Sequence, residues 1–166
     1  MSAASKQAFQ NLIPNNHCFG CGPDNKAGLQ IKSYWSRPGE SICRFEPAPH
    51  HMAGAEHVLN GGIICTVIDC HSVCTAVAAG YAATNRTIGT GDEVWFATGS
   101  IAVRYLAPAA IDAPVELAAR IVSATDKTIK VFCTLDSRGA TCAEATVIAV
   151  RVSAKWQHGR ESSVSN

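Results

Sequence analysis

The feature that most constrains this chain is Leu59-Asn60-Gly61-Gly62-Ile63-Ile64-Cys65-Thr66-Val67-Ile68-Asp69, continued by small and apolar residues over 70–79. Two glycines open the run, Gly80 is a natural stop, and the apolar positions between them fall on every side of a helix. A helix of that kind is a buried one. Asp69 is the only carboxylate inside it. An ionised acid two turns into a buried helix is strongly unfavourable unless it has partners or a task, so Asp69 is the first candidate for chemistry.

The flanking sequence reads as a sheet. Over 28–35, Leu29 and Ile31, with Ser33 or Trp35, share one face; the turn Ser36-Arg37-Pro38-Gly39-Glu40 follows, and 41–45 returns, which predicts a hairpin. Pro47 and Pro49 end it, and 50–58 is a loop without a period. After the helix, 81–99 reads as a flexible connection; its Gly89-Thr90-Gly91 lacks the strand and helix that a phosphate cradle needs. Strands are expected over 100–106, 115–124, 128–135 and 141–152, the last three as a meander around the turns Thr125-Asp126-Lys127 and Asp136-Ser137-Arg138-Gly139. A sheet curled around one buried helix, an α+β architecture, accounts for the helix's all-round apolarity. Residues 1–16 form an N-terminal extension with a short helix over 2–12, 17–152 form the domain, and 153–166 lose periodicity and gain serine and charge, the pattern of a disordered tail.

With a formal net charge of +1 and 16% charged residues, the chain has no basic stripe for nucleic acid. Its 47% hydrophobic content is high enough that part of the apolar surface is expected to lie against another subunit. No N-terminal signal pattern and no run of ~18 apolar residues is present, so a soluble, cytoplasmic protein without membrane contact is expected. Of the eight cysteines, Cys65, Cys70, Cys74, Cys133 and Cys142 lie in apolar runs, where a free thiol packs as a small hydrophobe. Cys18 and Cys21 form a C-x2-C in the turn-rich His17-Cys18-Phe19-Gly20-Cys21-Gly22-Pro23-Asp24-Asn25. A zinc site would need two further ligands, and no second C-x2-C or H-x3-H pair follows. His17, His50 or His51 would have to complete it in space. The preferred reading is a packed turn, with no metal and no cofactor.

The order of hairpin, Gly-Gly-opened helix and three-strand meander resembles the hotdog fold, a sheet of five to six antiparallel strands around one long helix. Asn60-Gly61-Gly62 followed by Asp69 is similar to the His-Gly-Gly to acid spacing of the acyl-CoA thioesterases of that fold. Cys18-Phe19-Gly20-Cys21-Gly22 with Gly28-Leu29, and Tyr105-Leu106-Ala107-Pro108, agree with it. The resemblance spans about 16–152 and is strongest to the phenylacetate-degradation branch. It implies hydrolysis of an acyl-CoA thioester to free acid and coenzyme A by a homodimer, or a dimer of dimers, with shared sites. Two departures stand out: Asn60 replaces the usual His, and Gly54 stands where relatives carry Asn or Gln, with Glu56 or His57 as nearby substitutes. Thr98, ten residues before Pro108, occupies the place of a water-positioning hydroxyl.

Thioester hydrolysis needs a polarised carbonyl and a base or nucleophile. A helix N-terminus opened by glycines offers the first, with Gly62 N–H as donor, Gly61 beside it and Asn60 contributing its amide or serving only as N-cap. Asp69 offers the second, as general base or as nucleophile; the alternative is a structural acid. Gly61 and Asp69 are eight residues apart, or ~12 Å along a helix, so one carbonyl cannot meet both from one chain. Antiparallel pairing of two subunits' helices would bring them together, across a face formed by residues 65, 68, 69, 72 and 76. His71 points elsewhere and is read as a core or interface histidine. Trp95, Phe96 and Tyr81 are candidates to line an acyl pocket. A non-catalytic acyl-CoA-binding protein and a dehydratase or hydratase of the same fold are the competing functions.

Overall fold

The computed structural model describes residues 7–157 and 159. Its elements are α1 (Phe9–Leu12), the hairpin β1 (Ser33–Arg37) and β2 (Glu40–Phe45), a 3-10 turn Pro49–His51, the long helix α2 (Gly61–Ala82), then β3 (Trp95–Tyr105), β4 (Val115–Ala124), β5 (Thr128–Ser137), β6 (Ala140–Val152) and a last helical turn α3 (Ala154–Gln157). Six strands form one sheet in the order β1-β2-β4-β5-β6-β3, antiparallel at every pairing. The expected α+β hotdog architecture is the one observed.

Alternation builds the inner face. Val115, Leu117 and Ala119 on β4, Ile129, Val131, Cys133 and Leu135 on β5, and Ala143, Ala145, Val147 and Ala149 on β6 are all buried. The alanines of β6 leave room for α2, whose Ile64, Val67, Ile68, Val77 and Ala78 complete the core. At 22 residues α2 is long and apolar enough to cross a membrane; the sheet covers most of it instead.

His71 sits in that core, fully buried, with Nδ1 2.8 Å from Ser33 Oγ and Nε2 3.4 Å from Ser41 Oγ. Gln10 bonds Ser33 from α1 and Thr75 bonds Ser41 from α2, so one polar network ties four elements together. Burial brings the His71 pKa down to about 4, keeping the ring neutral. This is the satisfied core histidine that its position predicted.

Three boundaries differ from the sequence reading, each for a steric or hydrogen-bonding reason. Gly80 does not end α2, which runs on to Ala82; a Cβ there would meet Val94 Cγ1 at 2.6 Å, so the glycine admits the chain entering β3. The expected connection over 81–99 ends in strand, because β3 starts at Trp95 and absorbs Gly99 in a register shift between Thr98 and Ser100, a bulge where strand glycines are common. Residues 28–32 do not extend β1: Leu29 N–H donates to Phe19 O and Ile31 N–H to Gly20 O, so this segment is held against the Cys-Gly turn.

The short helix expected over 2–12 is described only as Phe9–Leu12, since residues 1–6 lie outside the described residues. The tail expected to be disordered over 153–166 begins with the turn α3; residue 158 and residues 160–166 also lie outside the description.

Candidate active site

Asp69 lies in the third turn of α2, half-buried on the side of the helix the sheet leaves uncovered. From β3, Thr98 Oγ1 donates a hydrogen bond of 2.6 Å to Asp69 Oδ1. The bulge beside Thr98 is the local feature that re-aims this stretch of strand. Burial raises the Asp69 pKa above its usual value of 3.8, and the Thr98 bond opposes the rise by stabilising the charged form. The carboxyl opens on a cavity of about 270 Å³ whose walls include Val73, Val77, Trp95, Phe96 and Trp156. Cys18, Cys21, Cys70 and Cys74 line the same cavity, and a mostly apolar chamber with one carboxyl at its wall is the form of a small-molecule site. Trp95 and Phe96 line it as expected. Tyr81 does not: it is buried, and its hydroxyl accepts from Val94 N–H.

The other half of the expected site is at the start of α2. Asn60 is the N-cap, and its Oδ1 accepts from Gly62 N–H at 2.7 Å and from Ile63 N–H at 3.4 Å. The expected oxyanion donor, Gly62 N–H, is therefore engaged by the cap, while the cap leaves Gly61 N–H, the first of the helix, untaken. Tyr105 Oη donates to Gly61 O at 2.8 Å and its ring lies beside the Cα, which anchors the Gly-Gly opening to the far end of β3. Glu56 and His57 are exposed on the preceding loop.

Within one chain, then, Asp69 and Thr98 meet, and Asn60, Gly61 and Gly62 form a separate group about 12 Å along the helix. The face expected to meet a partner helix needs correction. Ile68, Ser72 and Ala76 are fully buried against the chain's own sheet, because it wraps far enough round α2 to cover them. The uncovered stripe is Gly62, Cys65, Thr66, Asp69 and Val73, which still contains both Gly62 and Asp69.

Four thiols adjoin Asp69. Cys18 Sγ is 3.6 Å from Cys70 Sγ, and Cys74 Sγ is 3.7 Å from Cys21 Sγ. Neighbouring thiols that donate to Cys21 hold its pKa far below the ordinary thiol range. Sequence reasoning separated these residues, placing Cys70 and Cys74 in helix packing and pairing Cys18 and Cys21 only with histidines. The i, i+4 spacing of Cys70 and Cys74, which puts both on one helix face, was the available signal. His51 is engaged elsewhere, its Nδ1 accepting from Ala48 N–H and its ring stacked on Phe45.

Comparison with known proteins bears on the fold and the family. A crystal structure of a thioesterase superfamily protein from Shewanella loihica PV-4 is 29% identical, with a TM-score of 0.60 over 84% of this chain and 96% of that one. The E. coli PaaI protein from the phenylacetic acid degradation operon has a TM-score of 0.60 at 12% identity, over 75% and 81% of the two chains. A hypothetical thioesterase from Streptococcus pneumoniae TIGR4, solved with coenzyme A, has a TM-score of 0.60 at 14% identity, over 74% and 85%. At such identities the last two speak to the fold alone. No curated protein matches the chain. The sequence model of the thioesterase superfamily matches residues 56–144, from the loop before α2 into β6, and by that match over more than half its length the chain belongs to the thioesterase superfamily.

Proposed function

We propose that this protein hydrolyses an acyl-CoA thioester to the free acid and coenzyme A, with Asp69 as general base or nucleophile. The observation that carries this reading is the Thr98–Asp69 hydrogen bond at the wall of an apolar cavity. Such a carboxylate, when ionised, can take a proton from a water whose oxygen attacks the thioester carbon. The C–S bond then breaks and the thiolate leaves, to be protonated by solvent. As a nucleophile it would itself attack the carbon, and water would hydrolyse the resulting mixed anhydride. The substrate class draws support from the superfamily and from the coenzyme A complex of the pneumococcal neighbour. An aryl-acetyl or similar acyl group, as in the phenylacetate-degradation branch, suits the Trp95, Phe96 and Trp156 walls.

The carbonyl oxygen would be polarised at the N-terminus of a partner's α2, because the Gly-Gly end and Asp69 of one chain are too far apart. The uncovered stripe on α2 and the outer side of β3, an edge strand eleven residues long, are the surfaces for a homodimer, itself able to pair into a dimer of dimers. Gly61 N–H and the Asn60 amide are the donors in this arrangement, and rotation of Asn60 would release Gly62 N–H as a third.

A second reading, acyl-CoA binding without turnover, is favoured by the one observation that Asn60 covers Gly62 N–H. A thiol-release assay over aliphatic and aromatic acyl-CoAs separates the two. Turnover of at least one thioester, lost by ~100-fold or more in Asp69→Ala with the oligomer intact, is the expected result. Binding without release by the wild-type protein establishes the second reading.

A further inference from the structure

The four thiols beside Asp69 come from two places that the fold brings together. Cys18 and Cys21 lie in the turn before β1, and Cys70 and Cys74 lie one helical turn apart on α2. The sulfurs of Cys18, Cys21 and Cys70 are all within 4.8 Å of one another. Cys18–Cys70 is 3.6 Å and Cys21–Cys74 is 3.7 Å, and all four cysteines are free. A tetrahedral zinc ion with Zn–S bonds of ~2.3 Å spaces its sulfurs by about 3.8 Å. The two short pairs share no residue, so they correspond to opposite edges of such a tetrahedron. Cys74 lies outside the compact triad but touches it through Cys21 Sγ, and it has one side-chain torsion with which to close the set.

The surroundings are shaped for this cluster. A Cβ on Gly20 would lie 2.3 Å from Cys70 Sγ, and one on Gly22 would lie 2.5 Å from Cys18 N, so glycine at 20 lets the turn reach α2 and glycine at 22 lets it fold back on itself. The buried side chain of Asn16 braces it twice, with Oδ1 accepting from Cys18 N–H at 3.1 Å and Nδ2 donating to Cys21 Sγ at 3.7 Å. Amide donors to a ligating sulfur are the usual outer partners of thiolate sites. Cys21, Cys70 and Cys74 are buried, while Cys18 is exposed, which gives an ion an entry side.

We propose that Cys18, Cys21, Cys70 and Cys74 form a tetrahedral four-thiolate site for zinc, pinning the N-terminal turn to α2 beside Asp69. Each thiol still carrying a proton gives it to solvent as its sulfur bonds the ion, and no electron is transferred. The choice of a soft, redox-inert cation follows from the donor set, four sulfurs with no oxygen or imidazole among them. The site is structural: a closed four-sulfur shell leaves no position for substrate. The inference stands independently of the thioesterase reading, since it rests on the thiols alone.

Metal analysis of the full chain, purified reduced and without chelator, tests it. About one zinc per chain is expected, falling to background in Cys18→Ser/Cys21→Ser and unchanged in Cys65→Ser, with far-UV circular dichroism showing that each variant is folded. Cobalt(II) added to the chelator-stripped protein should give the intense visible bands of tetrahedral thiolate coordination and a sulfur-to-metal charge-transfer band, both altered in Cys74→Ser. Absence of zinc together with no cobalt spectrum overturns the proposal, as does a Cys18–Cys70 or Cys21–Cys74 disulfide in the freshly isolated protein. An unchanged cobalt spectrum in Cys74→Ser overturns the four-thiolate set.

Discussion

Thr98 is the smallest part of the proposed site, and its task there can be measured. Its hydroxyl is one bond to a desolvated carboxylate, and a hydrogen bond to a charged group contributes about 1.5–3 kcal/mol. Thr98→Val, which keeps the shape and removes the donor, should lower kcat by roughly tenfold or more, and Thr98→Ser should restore most of it; equal rates in all three would separate Thr98 from the chemistry. A second residue-scale expectation concerns Cys133. Its burial between sheet and helix pushes the thiol up to about 12 from 9.0. Above pH 9 the unfolded chain releases this proton while the folded chain keeps it, so stability present below pH 9 is lost as pH rises toward 12. The loss attributable to this thiol approaches roughly 4 kcal/mol across that window. Urea unfolding at stepwise pH should therefore show a shallower alkaline decline in Cys133→Ala than in wild type, whatever the cavity costs at neutral pH. Asp69 was legible in the sequence because an acid in an apolar helix has few bland explanations. Thr98 was legible only through its distance from Pro108, since strand threonines are common for steric reasons alone. The thiol cluster was not legible as a unit: no local pattern links a turn at Cys18 to a helix face at Cys70 until the sheet is folded.

At the scale of elements, α2 depends on its cap. Asn60 Oδ1 meets two of the first-turn N–H groups, and Asn60→Ala should cost about 1 kcal/mol of stability, read as a lower urea midpoint at unchanged m-value. If Asn60 only caps, turnover per folded molecule stays at the wild-type level; if its amide also holds the carbonyl, kcat falls as well. The helix was readable because its apolar run is long and uninterrupted, and the β4-β5-β6 meander because its strands are long and separated by clear turns. Two of the three misread boundaries turn on a glycine. Gly80 and Gly99 carry the marks of a stop and a loop, but each serves a close approach, to Val94 and to Val150. A glycine's reason lies in its neighbour, and the neighbour is distant in sequence.

For the whole molecule the decisive issue is whether one chain suffices. The shared-site arrangement makes a specific demand on mixed dimers. Asp69→Ala and Gly61→Val would each inactivate both sites of their own homodimer, yet a dimer with one chain of each keeps one intact site. Co-expression should therefore restore about a quarter of wild-type activity if the chains mix at random. No recovery in verified mixed dimers would place the whole site in one chain. The sheet order adds a consequence for how the protein is made. Among the described strands β3, which carries Thr98, pairs with β6 alone, so during synthesis it waits beside the emerging chain without that partner until residues 140–152 leave the ribosome. A nascent chain stalled before β6 therefore leaves both edges of β3 open to association. The final strand closes one edge of β3, and the other stays open at the end of the sheet, where the proposed homodimer would cover it.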